Sequence, residues 1–191
     1  MAGKSPALEM TFASRAAFRA WLQENVEISE GVWLVFGKTK ALPTVKAGEA
    51  LEEALCFGWI DGQMKSIDET KYIKYFAKRR PKSVWSVKNK KIVIALREKG
   101  LMTALGEKAI ETAKGNGMWD ERTEEGEQAM VEAFAEKLRD FPQAYENFMK
   151  KPPSGRLAVT RWYLSSKNEE IRQREFPKII EALENDWKPT M

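Results

Sequence analysis

The sequence predicts an α+β fold: a small, mainly antiparallel sheet packed by helices, followed by a helical C-terminal segment. Two observations carry this expectation. The N-terminal part mixes short apolar runs such as GVWLVFGK and YIKYFAK with amphipathic stretches of helical spacing. Beyond it, apolar residues recur in helical patterns at about 127–139, 142–150, 154–166 and 168–185, punctuated by Pro142, Pro152 and Pro153. The stretch GNGMWDERTEEGE, residues 115–127, is polar, glycine-rich and free of aliphatic periodicity. It reads as a linker between an α+β domain at 1–114 and a helical segment at 128–191.

Taken in order, LEMTF is a short extended piece, and Ser14 then caps a helix on which Phe18, Trp21 and Leu22 share a face. Gly31 opens the buried strand GVWLVFGK, and Pro43 and Gly48 mark the loop after it. From about Ala47 to Phe57 a helix places Ala50, Leu51, Ala54 and Leu55 on one stripe and leaves Glu49, Glu52 and Glu53 to water. Gly58 ends that helix, because a left-handed C-cap is most easily glycine. Trp59 and Ile60 begin a strand that bends near Asp61-Gly62, and Asp68-Glu69 turns the chain into a second one. In YIKYFAKRR, Ile73, Tyr75 and Ala77 fall on one face, while Lys74, Lys78 and Arg80 fall on the other with Tyr72 and Phe76. That pattern predicts a half-buried strand with a basic outer face. Pro81 breaks it, Ser86 caps a helix that Gly100 ends, and a further helix runs from Thr103 to Lys114.

Composition removes many chemistries. The 191 residues include no histidine and one cysteine, Cys56. Ser-His-Asp and Cys-His catalysis, HExxH metal sites and histidine-ligated zinc are therefore excluded, as is an internal disulfide. A carboxylate-only magnesium site is permitted, but nothing in the chain proposes one, so neither metal nor cofactor is expected. No apolar run approaches the ~20 residues of a membrane helix, and the start MAGKSPALEMTF lacks a secretion signal, which makes membrane insertion unexpected and a cytoplasmic home the expectation.

Three stretches in register, ALCFGWIDG, RRPKSVWSVKN and KGLMTALGEKAIETAKGNGMW, make the chain resemble the YdeI or OmpD-associated, bacteriocin-protection family. The similarity starts near Phe12, with Ser14, Phe18, Trp21 and Leu22 matching the family's opening, and runs more loosely through Arg161-Trp162 and Arg172 to Arg174. Where members tend to read AK-x-x-ETR, this chain has SSKNEEIRQRE. The resemblance implies protection against bacteriocins or cationic antimicrobial peptides and supplies no catalytic residues. Contact with the porin of the family name is not expected of a chain without an export signal.

The candidate working surface is basic. From Lys71 to Lys91 there are nine basic residues and no acidic one, a local charge suited to an anionic small molecule or nucleic acid rather than to direct capture of a cationic peptide. The candidate ligand-binding residues are Trp59, Asp61, Lys78, Arg79, Arg80, Trp85, Ser86 and Asn89. Asp61 either caps a turn or pairs with Arg79 or Arg80, holding a guanidinium beside Trp85 to meet a planar anion, with Ser86 and Asn89 near a helix N-terminus. Trp59 is either core or ligand platform, and the lysine-rich face is either a site or simply solvated. No nucleic-acid motif is present, although Tyr72, Phe76 and Trp85 interleave with the charges as base stacking would need. The leading reading is a non-enzymatic binding protein. Its alternatives are a nucleic-acid-binding protein and an enzyme using Asp61 with Arg79. Cys56, near a helix C-terminus whose partial charge raises a thiol pKa, reads as a small buried hydrophobe rather than a nucleophile.

Overall fold

The computed structural model describes residues 8–39 and 41–185, which form two compact units dividing between Arg122 and Thr123. The first is α+β: β1 (Glu9–Met10), α1 (Arg15–Asn25), β2 (Val32–Gly37), α2 (Ala47–Cys56), β3 (Trp59–Ser66), β4 (Lys71–Lys78), α3 (Val87–Glu98) and α4 (Ala104–Gly115). The sheet order is β1-β2-β4-β3, with the short β1 parallel to β2 and the other pairings antiparallel. Local chemistry sets the boundaries. Ser14, Ser86 and Thr103 each accept the backbone N–H three residues on, and Asp68 Oδ1 accepts from Thr70 N and Lys71 N to close the β3–β4 turn.

Register decides which sheet face is core. Val32, Leu34 and Phe36 lie opposite Phe76, Lys74 and Tyr72, so all six share one face. Phe18 of α1 packs on it, its ring 5.8 Å from that of Phe76. The expected basic outer face is therefore corrected: the Tyr72 and Phe76 face of β4 is the one that packs on helices, and Phe76 is fully buried. The lysines of that face sit where their stems can leave it, Lys74 reaching Asp61 and Lys78 reaching the Glu27 carbonyl. On the opposite face Trp33 packs on Tyr75, and Lys65 Nζ lies 4.6 Å from the centre of a Trp33 ring.

A second correction concerns α2. Glu49 and Glu52 are partly exposed, but Glu53 is 1% exposed. Its carboxylate accepts from Arg15 Nε and, at 2.6 Å, from Arg19 Nη1, which pins α1 to α2. Burial works to lower the proton affinity of both guanidiniums, and the bonds to Glu53 outweigh it, holding both above their ordinary value.

Inside the stretch 115–127, Met118 and Trp119 pack against the N-terminal core, and the next helix begins at Glu124. The second unit is helical: α5 (Glu124–Lys137), α6 (Pro142–Lys150), α7 (Pro153–Leu164) and α8 (Glu169–Glu184). Its core centres on Phe134, whose ring lies 5.3 Å from Phe148 and 5.1 Å from Tyr163. Pro142 and Pro153 stand in first turns, where a missing N–H costs nothing, while Pro177 interrupts α8 at an exposed position. No described helix is long and apolar enough to cross a membrane.

Candidate anion-binding site

Arg79 follows directly on β4, and its N–H donates to Gly58 O at 3.0 Å, tying the strand end to the α2–β3 corner. Pro81 then turns the chain so that Trp85 lies under the guanidinium, with Arg79 Cζ 4.0 Å from the centre of a Trp85 ring. Arg79 Nη2 donates to the carbonyls of Ser83 (3.3 Å) and Val84 (3.1 Å). Among the described residues no carboxylate bonds to it. Burial pushes Arg79 down to about 10, against the opposing pull of the Asp61 charge, so it stays protonated at neutral pH as a desolvated cation.

Arg79 lines two hollows. One is a cleft of about 500 Å³, bordered by Lys78, Arg79, Lys108 and Thr112 over Phe57 and Leu105. The other is a cavity of about 110 Å³ that Arg80, Ser83 and Trp85 help to line. Helix α4 borders both, and the α2–β3 corner fits it closely. Gly58 has φ +73°, and a Cβ there would lie 2.9 Å from Leu105 O. Glycine is thus required twice over.

The structure gathers Lys78, Arg79, Arg80 and Trp85 of the sequence candidates and leaves the others apart. Trp59 is fully buried in the core beside Trp21. Asp61 pairs with Lys74 at 2.8 Å, not with Arg79 or Arg80, because Lys74 shares its sheet face within the hairpin. Ser86 spends its hydroxyl on the Asn89 N–H as the cap of α3, and neither residue lines the two hollows. Lys108 and Thr112 of α4 are site residues that the sequence reading missed.

Cys56 is the last residue of α2 and fully buried, and burial raises its thiol pKa although Arg19 draws it the other way. Iodoacetamide should leave it unmodified in the native protein and label it once unfolded. Cys56→Ser should cost roughly 1–3 kcal/mol by burying a hydroxyl. Rapid native labelling would overturn the structural assignment.

Residues 10–109 match a family described as a domain of unknown function, DUF8412, and residues 129–186 match one described as bacteriocin-protection, YdeI or OmpD-associated. The chain belongs to the DUF8412 family, and its helical unit is similar over residues 129–186 to the bacteriocin-protection family. No curated protein and no solved structure matches the chain. The Arg79 cleft therefore lies almost wholly in the DUF8412 part, and the protection-family likeness lies in the other unit. The resemblance expected along nearly the whole chain is narrowed accordingly, with its weight on the tail. The departure at SSKNEEIRQRE falls mainly on exposed positions, so it leaves the buried pattern of the helical unit intact. The family match points to a role of the bacteriocin-protection type.

Proposed function

We propose that this is a non-enzymatic, cytoplasmic protein of the protection type whose N-terminal unit binds an anionic ligand in the cleft walled by Lys78, Arg79 and Lys108. The observation that carries the reading is Arg79, a half-buried guanidinium held on Trp85 with two carbonyls for partners and, among the described residues, no bonded carboxylate. Its guanidinium meets carbonyl dipoles rather than a bonded anion, so an arriving anion would gain a charge-assisted partner there. The protection role itself draws its support from the helical unit. A continuous phosphate track along 71–91 is less well supported, because Lys74 is paired with Asp61 and Lys90 is held by the Trp119 and Arg122 carbonyls within the fold.

Native mass spectrometry of the full chain should detect a retained anion, and added anionic ligand should raise the unfolding midpoint. Arg79→Met, which keeps an apolar stem on Trp85 but gives up the bonds to the Ser83 and Val84 carbonyls, should weaken both effects at least fivefold while costing the unliganded protein no more than about 1–2 kcal/mol. Equal binding by that variant would refute the site, and a strongly salt-dependent affinity for nucleic acid would favour the phosphate track instead.

A further inference from the structure

The geometry points to a single-headed anionic amphiphile, a carboxylate or similar head carrying an alkyl or aryl tail, as the ligand of the 500 Å³ cleft. This rests on the anion-binding reading of Arg79 and goes beyond it by assigning the rest of the cleft. The head has a defined place. Both side-chain hydrogen bonds of Arg79 among the described residues are made through Nη2, so Nε and Nη1 keep their donors, and Lys78 and Lys108 line the same cleft. The Lys78 ammonium, bonded to one carbonyl, still has protons to offer.

The remainder of the cleft is of another character. Val26, Phe57, Leu105 and Ala109 supply an apolar lining beside the cationic border. Val26 and Phe57 belong to the hydrophobic core, so this is the edge of the core reaching the surface. Inorganic phosphate would satisfy the border and leave that lining wet, since the cleft has the volume of a site for a small organic molecule, roughly 300–1,000 Å³. A polyphosphate or nucleic-acid backbone fits worse. It needs repeated cations along a line, and Trp85, the aromatic that holds Arg79, is buried and closed to base stacking. Glu27, which also lines the cleft, opposes every anion alike and so favours a single charge over several. Cationic side chains and apolar side chains lining one cleft of this volume suit an amphiphile.

The test is isothermal calorimetry on the full chain with laurate below its micellar range, acetate, inorganic phosphate and dodecanol. Laurate is expected to bind at least tenfold more tightly than acetate, phosphate or dodecanol. Arg79→Met and the surface change Lys108→Glu should each weaken laurate at least fivefold, with Lys108→Glu unfolding at the wild-type midpoint. If phosphate or acetate binds as tightly as laurate and loses affinity in Arg79→Met, the amphiphile assignment is overturned while the anion site stands. Should dodecanol match laurate, or laurate bind both variants unchanged, the site is not the one that reads the head group. Absence of binding by every anion would overturn both readings.

Discussion

Replacing Glu53 with alanine is expected to lower the unfolding free energy by about 3 kcal/mol, measured by urea denaturation. The carboxylate is almost entirely withdrawn from water and is held by Arg15 and Arg19 together, so its removal leaves Arg19 without its anion and Arg15 with Glu52 alone, both facing a buried space built for a carboxylate. Both arginine side chains retain about a third of their exposure, at 35% and 28%, which lets them turn partly to solvent and keeps the cost at the lower end of the range for a broken buried pair. Arg19 also donates to Leu101 O at 2.9 Å, so slackening it loosens the segment between α3 and α4 as well. A double-mutant cycle with Arg19→Met should return a coupling of about 1–3 kcal/mol. A loss below about 0.5 kcal/mol, the scale of an ordinary surface substitution, would show that the network holds nothing together.

That network also marks where the sequence stops being informative. Ser14, Ser86 and Asp68 were legible because each makes its bond to a backbone N–H two or three residues away, and residue type alone favours it. Glu53 was not, because its partners lie 34 and 38 residues earlier on another helix, and a charged residue on an amphipathic helix reads as solvated until the neighbour is known. The faces of β4 failed for a related reason. YIKYFAK is apolar on both parities, with Tyr72 and Phe76 on one and Ile73 and Tyr75 on the other, so alternation cannot choose between them. Phe18 of α1 makes the choice by packing on Phe76.

The candidate site divides the same way. Lys78, Arg79 and Trp85 stand within eight residues, and the basic-aromatic clustering is visible in the sequence. Lys108 and Thr112 come from α4, and nothing local says that this helix borders the end of β4. Of the two alternatives for Asp61, the pairing one named the wrong cations, because the hairpin register, bent between Asp61 and Met64, sets it beside Lys74 rather than the arginines past the strand end.

What brings α4 to the site is a glycine, and Gly106→Ala should show it. A Cβ on Gly106 would lie 2.3 Å from Cys56 O and 2.8 Å from both Cys56 C and Met102 Cε. The carbonyl cannot move aside, since it already accepts from Thr103 N at 3.1 Å and Thr103 Oγ1 at 2.7 Å, the bonds that dock the start of α4 on the end of α2. The helix must therefore shift bodily, at a cost of about 2–3 kcal/mol. That shift would carry Leu105 and Lys108 with it, so affinity for an anionic ligand should fall along with the thermal midpoint. Gly48→Ala is the matched control: Gly48 lies in the first turn of α2 and a Cβ there would meet nothing within 4 Å. Helix propensity should make that change neutral or stabilising by about 0.5 kcal/mol, with binding untouched. Equal effects of the two substitutions on stability would mean that the close contact of α4 with the Cys56 carbonyl is not what positions the cleft.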